Sequence, residues 1–346
     1  MRAIALLLSL TVVTSSALAR AVNGTITAVP GIRVGHHTLT ERPTGCTVIL
    51  ADGGAIAGVA QRGAAPGTRE TDRLSAANAS ARVSAIVLAG GSAYGLDSAN
   101  GAVRWLDERG AAARESGRRG PAIVPAAVLI DLWVGGKPHI RPGADCGYRA
   151  AAIASRGPVA QGSVGAGAGA TVGKLLGTGH AMKGGIGSAS ITLENGLRVG
   201  AIVAVNALGD VIDPDTGAIV AGARAADGSF ADARRLLRTG APTILSSLPA
   251  DNTTIAVVAT NARLTTAEAS RVAQIADGGL ARAIAPIHTI ADGDTLFALA
   301  TGGWRGDADV STIGALAADA VAAAIVRAVR YATSAGGVPA ARDLPR

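Results

Sequence analysis

Apolar residues along the chain fall into short blocks separated by glycine, proline and Asx turns. The block 253–258, Thr-Thr-Ile-Ala-Val-Val, is β-branched and apolar, the pattern of a strand covered on both faces. It follows Pro249 and the pair Asp251-Asn252, whose side chains bond their own backbone and favour a turn. The same reasoning predicts strands over 32–35, 47–50, 84–88, 199–205 and 295–300, a short apolar run at 55–59 and a strand-like stretch at 122–132. Another strand leaves Gly184-Gly185 and runs to Leu193, where Asn195-Gly196 makes a hairpin turn. Helical spacing covers 97–109, 144–155, 230–238 and 315–332, the last with Leu316, Val321, Ile325 and Val329 as its apolar stripe. A further helix over 265–283 opens on the capping box of Thr265 and Glu268. Strands and helices recur in blocks without a long repeat, which predicts a layered α/β sandwich in one domain. Segment 61–72 reads as loop, and 239–251, with Pro242 and Pro249, as an exposed linker.

The first residues follow a different logic. Met1-Arg2, an apolar run over 3–13 and the small residues Ser15-Ser16-Ala17-Leu18-Ala19 predict a secretory signal peptide over 1–19, too short to span a membrane. The mature chain from residue 20 is then periplasmic or secreted. Aromatic residues are 2% of a chain that is 49% hydrophobic, so the core must be built from Ala, Val, Ile and Leu. The net charge of +7 comes from scattered arginines rather than a basic stripe with interleaved aromatics, which argues against nucleic acid as a partner. Cys46 and Cys146 could pair in an oxidising compartment, and a buried free thiol at Cys46 fits equally well. No CxxC and no His pair at ligand spacing points to a metal.

Chemistry concentrates at a few positions. Thr253 is a hydroxyl residue at the start of a buried strand, immediately after a turn. Thr is a good strand residue in its own right. The alternative is self-cleavage between Asn252 and Thr253, after which the Thr253 hydroxyl is a nucleophile and its own α-amine, titrating near pH ~8, the base. Lys183, one of three lysines, stands where a strand emerges from a glycine turn, and Asn206 ends a core strand, where an amide can donate to an oxyanion. The turn Gly90-Gly91-Ser92-Ala93-Tyr94-Gly95 can aim backbone N–H groups at a ligand, with Gly91, Ser92 and Tyr94 as candidate substrate contacts. It is not a dinucleotide fingerprint, and the glycine-rich run ending at Lys174 fails the phosphate-loop spacing because Leu175 follows.

Together, Gly45-Cys-Thr-Val, the stretch 62–72, Gly90-Gly-Ser-Ala-Tyr-Gly-Leu, the run 164–174, Lys183-Gly-Gly-Ile-Gly, Val205-Asn-Ala, Asn252-Thr-Thr and Asp292-Gly-Asp294 resemble the L-aminopeptidase/D-esterase family. That family includes β-peptidyl aminopeptidases and a nylon-oligomer hydrolase. The resemblance covers about residues 30–330. It implies a four-layer αββα sandwich, self-processed into an α chain ending at Asn252 and a β chain starting at the nucleophile Thr253. It also implies Lys183 and Asn206 lining the nucleophile, Asn206 at the oxyanion, Asp292 and Asp294 as an orienting acidic pair, no cofactor, and a homo-oligomer of αβ units. The implied substrates are short peptides, amides or esters that lose an N-terminal residue. The base for self-cleavage is Lys183 or an aspartate. An ornithine acetyltransferase-like acyl transferase and an exported binding protein are the competing readings.

Overall fold

The computed structural model describes residues 24–78, 82–111, 121–241, 251–307 and 309–344; the leader expectation and residues 242–250 of the linker lie outside them. β1 (Ile32–Thr38) pairs antiparallel with the first part of β2 (Gly45–Gln61), whose other neighbour there is β4 (Val83–Ala89). β5 (Ala126–Val128) runs parallel to β4 and is edged by β3 (Thr68–Arg69). The runs at 47–50 and 55–59 thus belong to one 17-residue strand. Its register shifts between Leu50 and Ala55, around Asp52-Gly53-Gly54. Past that bend β2 leaves one layer and joins a second.

The hairpin-like pair β6 (Thr171–Val172) and β7 (Met182–Lys183) leads to β8 (Gly185–Thr192) and β9 (Arg198–Asn206). After β10 (Asp210–Ile212) and β11 (Ile219–Ala221) come β12 (Thr253–Thr260), β13 (Ile284–Ala285) and β14 (Thr295–Ala300). The second layer has the order β2-β14-β12-β9-β8. β12 is parallel to β14 and antiparallel to β9. Pairing on both edges and burial of all eight residues explain why β12 reads as a continuous apolar run.

Alternation sorts the side chains of β12 into two cores. Ile255, Val257 and Ala259 meet Ile49, Ile86, Leu88 and Phe297 between the sheets. Ala256 and Val258 face a helix layer. The helices are α1 (Ser98–Asp107), α2 (Ala144–Ala152), α3 (Ala233–Thr239), α4 (Thr266–Ala276), α5 (Gly278–Ala283) and α6 (Val310–Tyr331). α1 and α2 cover the first sheet through Trp105, Leu106 and Ala150. α4, α5 and α6 cover the second through Val272, Leu280, Val321 and Ile325. This is the αββα sandwich expected. α6 is apolar enough to cross a membrane by composition, but much of it is buried as a core helix.

Several boundaries differ from expectation. The helix expected over 265–283 keeps its Thr265–Glu268 capping box but divides at Asp277. There Gly279 lies so close to α6 that a Cβ on it would sit 2.3 Å from the Ala318 carbonyl oxygen. The stretch 122–132 supplies only the three-residue β5 because its neighbours do not continue the ladder. The helix expected from 230 starts after Asp232, whose side chain caps it. Segment 61–72 carries β3. Cys46 and Cys146 form a disulfide between β2 and α2, so the free-thiol alternative does not hold.

Candidate active site

The site lies where β12 and β14 begin and β9 ends. Antiparallel register sets Thr253 opposite Asn206, and parallel register sets Ile255 beside Thr295, so the turn 292–294 reaches β12 at its first residue. Thr253 is 3% exposed, and its hydroxyl donates to the carbonyl oxygen of Asn252 at 2.5 Å. The same oxygen accepts the Gly293 backbone N–H at 2.9 Å. A Cβ on residue 293 would lie 2.9 Å from the Thr253 hydroxyl and 2.5 Å from the Ala65 carbonyl oxygen, so only glycine fits there. The loop after β2 is laid over this turn: Ala65 N–H donates to the Asp292 carbonyl at 2.9 Å, and Arg62 N–H to that of Asp294 at 3.1 Å.

Asp294 is buried; its Oδ1 accepts the Thr254 N–H at 2.6 Å and its Oδ2 the ring Nδ1 of His288 at 3.0 Å. Asp292 accepts the backbone N–H and hydroxyl of Thr289 on one oxygen, at 2.7 and 2.6 Å, and has no partner among the described residues on the other. Burial, then the neighbouring Asp294 charge, pushes the Asp292 carboxyl up to about 6.

Asn206 has all its amide capacity engaged. Its Oδ1 accepts the Thr171 N–H at 3.0 Å, and its Nδ2 donates to the Ile130 and Asp251 carbonyls, each at 3.0 Å. Lys174 completes the group. Its Nζ is fully buried and donates to the Asn206 carbonyl at 3.1 Å, the Asn206 side chain at 3.2 Å and the Asp251 carbonyl at 3.2 Å. Burial lowers its ammonium to about 7, against the opposing pull of Asp292, Asp251 and Asp294. The three donated bonds are those of the ammonium, and the lowered value brings its neutral form, the state a proton acceptor needs, within the physiological range once one of them is given up.

Lys183 stands one step back. Its Nζ donates to the carbonyls of Ala168 and Ala170 at 2.8 and 2.7 Å. The peptide from Ala170 to Thr171 therefore accepts from Lys183 and donates to Asn206, so Lys183 orients the amide rather than touching Thr253. Burial lowers Lys183 to about 7 as well, with the Asp131 charge opposing. Asp131 is paired with buried Arg42 at 2.8 Å and accepts the Gly91 N–H at 2.9 Å. Gly91 and Ser92 thus sit beside the strand end that offers the Ile130 carbonyl to Asn206, with Ser92 N–H on the Leu129 carbonyl at 3.0 Å. Tyr94 is 60% exposed and stacks under the Arg141 guanidinium, 3.6 Å from its ring centroid.

The structure brings Thr253, Asn206, Asp292 and Asp294 together, as the sequence groups them, but sets Lys183, expected to line the nucleophile, behind them on the Ala168 and Ala170 carbonyls. The sequence reading misses Lys174, the Gly293 N–H and His288. Lys174 closes a glycine-rich run that fails the phosphate-loop spacing and counts only toward the family resemblance, and local sequence carries no sign of which lysine folds back onto Asn206.

A family model described as Peptidase family S58 matches residues 24–342. The chain belongs to peptidase family S58. Within it, the chain is 43% identical over 342 residues to a Mycobacterium leprae (strain TN) protein named as an uncharacterized aminopeptidase, covering 91% of this chain and 92% of that one. A 6-aminohexanoate-oligomer endohydrolase of Kocuria sp. (strain KY2) is 31% identical over 316 residues, covering 87% and 84%. Among solved structures, a Burkholderia sp. β-aminopeptidase is similar with a TM-score of 0.66 and 27% identity, over 89% of this chain and 87% of that one. The L-aminopeptidase D-Ala-esterase/amidase of Ochrobactrum anthropi, a variant of the Ntn hydrolase fold, shares the fold with a TM-score of 0.68 at 21% identity, over 92% and 88%. This S58 chain is thus a hydrolase, and the binding-protein reading falls away.

Proposed function

We propose that this S58 chain is an exported aminopeptidase that cuts itself between Asn252 and Thr253 and then uses Thr253 to release N-terminal residues from short peptides, amides or esters. The observation that carries the reading is the Asn252 carbonyl, held between the Gly293 N–H and the Thr253 hydroxyl. In the intact chain the Thr253 oxygen attacks the Asn252 carbonyl carbon and its proton passes to neutral Lys174. Charge develops on the Asn252 oxygen, where Gly293 already donates. The Asn252–Thr253 C–N bond breaks, the Thr253 nitrogen gains the proton, and water hydrolyses the resulting ester to a carboxylate on Asn252 and a free amine on Thr253.

Cleavage also vacates donors. Lys174 Nζ and Asn206 Nδ2 both hold the Asp251 carbonyl in the uncut chain. Once that tail withdraws they are free for the acyl part of a substrate. The Thr253 amine then takes the hydroxyl proton, the oxygen acylates, the amine product leaves with the proton, and water clears the acyl-enzyme. The Cys46–Cys146 disulfide supports an oxidising destination. Assembly of αβ units into a homo-oligomer is part of the same proposal.

Intact-mass analysis of the purified protein should find two chains, the smaller starting at Thr253, and a Thr253→Ala variant should stay whole. A panel of aminoacyl p-nitroanilides, run beside linear 6-aminohexanoate oligomers, should give release from the chain end. Cleavage confined to internal amide bonds would replace the aminopeptidase assignment with endohydrolysis.

A further inference from the structure

His288 has no part in the chemistry above, yet it is held more tightly than a loop histidine needs to be. It lies between β13 and β14 with a φ of 57°, in the left-handed region that side chains disfavour. Its backbone N–H donates to Asp294 Oδ2 at 3.2 Å, and ring Nδ1 stands 3.0 Å from the same oxygen. Ring Nε2 is 3.1 Å from Oδ2 of Asp277, an ion-pair distance without hydrogen-bond alignment. Asp277 is the residue at which α4 gives way to α5, and its side chain is 9% exposed. One imidazole therefore bridges two buried carboxylates, one from the helix layer and one from the turn beside the nucleophile.

That geometry selects a protonation state. A neutral imidazole has one N–H and one acceptor nitrogen, so it would meet one of the two carboxylates acceptor to acceptor. The imidazolium donates Nδ1–H to Asp294 and presents positive charge, rather than a lone pair, to Asp277. Burial alone would lower His288, but the carboxylates of Asp277 and Asp294 outweigh it and raise the ring to about 9. Beyond Asp277 stands Arg62, 4.0 Å away just after β2 and half exposed; beyond Asp294 stand Asp292 and Lys174.

Asp294 spends its other oxygen on the Thr254 N–H. That bond fixes the peptide plane joining Thr253 to Thr254, and with it the angle at which the Thr253 hydroxyl meets the Asn252 carbonyl. We propose that His288, as a cation clamped between Asp277 and Asp294, is a positioning residue for the nucleophile: it locks Asp294 onto Thr254 and sets the alkaline limit of self-cleavage. The proposal rests on Thr253 being the nucleophile.

The test follows maturation rather than turnover, because the uncut chain has no Thr253 amine to titrate. Precursor refolded from denaturant should self-cleave with a rate that falls as pH rises through about 9. His288→Gln should slow cleavage by about ten- to a hundredfold, the cost of a small misplacement of the attacking group, and should lose that alkaline fall. His288→Lys should recover part of the rate by restoring the charge. Should the glutamine variant fail to fold, Asp277→Asn serves instead: it removes one carboxylate from the ring and should move the alkaline fall toward neutral pH. A proton NMR titration of His288 in the uncut Thr253→Ala chain reads the clamp without any activity, and its midpoint should lie above 8. A midpoint at or below the ordinary value near 6.5, or wild-type cleavage with an unchanged alkaline fall in His288→Gln while Thr253→Ala stays whole, would overturn the proposal. Normal cleavage in Thr253→Ala would instead sink the nucleophile assignment and this inference with it.

Discussion

The backbone N–H of Gly293 points at the carbonyl oxygen of Asn252, 2.9 Å away. The donor is therefore in place before any charge develops, which is what makes such a group effective in an acyl transfer. It belongs to the residue between two aspartates, and no side chain is tolerated there.

Gly293→Ala is expected to stop maturation or slow it by about a hundredfold or more, through displaced donor and crowded hydroxyl together. Time courses on denaturing gels, with circular dichroism to confirm folding, check this. Maturation at the wild-type rate would remove the Gly293 amide from the reaction.

Substitutions along β12 should separate by sheet face. Thr253→Ala should leave one uncut chain, and Thr253→Ser should still cut because it keeps the oxygen. Thr254 is buried on the other face, and its hydroxyl has no hydrogen-bond partner among the described residues. Thr254→Val should therefore cut normally and fold at least as stably as wild type, with a gain of up to about 1 kcal/mol in a denaturant titration. Loss of cleavage in Thr254→Val alone would shift the nucleophile by one residue.

The two buried lysines should part company. Lys174→Met is expected to abolish self-cleavage while keeping the fold, since it exchanges a costly buried amine for an apolar chain of similar length. Lys183→Met loses bonds to two carbonyls and should cost about 2 kcal/mol of stability, yet still cut. The reverse pattern would return Lys183 to the centre of the site.

Self-cleavage should rise with pH through about 7, as Lys174 loses its proton. The stability sign follows from the same value. Lys174 titrates lower in the fold than in the unfolded chain, so its burial penalty is full below about 7 and fades as pH rises toward the unfolded value of 10.5. The Thr253→Ala chain should therefore gain stability relative to a Thr253→Ala, Lys174→Met chain between about pH 7 and 10, measured by paired urea titrations. No change in that difference across the window would contradict a buried, depressed Lys174.

Removing the disulfide tests the fold rather than the chemistry. Its partners are 100 residues apart in sequence, and closing a loop of that size is worth about 2–5 kcal/mol. Cys46→Ala with Cys146→Ala should lower the unfolding midpoint accordingly and leave cleavage at Thr253 intact. Thiol titration of the denatured, unreduced wild type should find no free cysteine.

Hydrophobic periodicity made most of the architecture legible. A strand paired on both sides and covered on both faces must be apolar at every position, so β12 could be read from its own residues. Alternation then put Thr253 and Thr254 on opposite faces, and the capping box at Thr265 marked the start of α4. Motif order pointed to the right family and to Thr253, Asn206, Asp292 and Asp294 as a group. Periodicity was less informative where contacts came from afar. Residues 47–50 and 55–59 look like separate runs because the bend between them belongs to the passage from one sheet to the other, and the helix after Thr265 looks continuous because the apolar spacing on both sides masks the breaker Asp277-Gly278-Gly279 at which it divides.

By itself, then, the sequence determined the layers, the buried strand that begins at Thr253 and the residue types beside it, because those depend on burial patterns repeated every two or three to four residues. Only the tertiary structure set Lys174 rather than Lys183 against Asn206 and the Asp251 carbonyl, paired Cys46 with Cys146, brought the Gly293 amide to the Asn252 carbonyl and set His288 between Asp277 and Asp294. Each of these is a meeting of segments from different elements, settled by strand register and by where a turn ends. A lysine nine residues from another is chemically the same lysine until the chain folds and one of them finds the site.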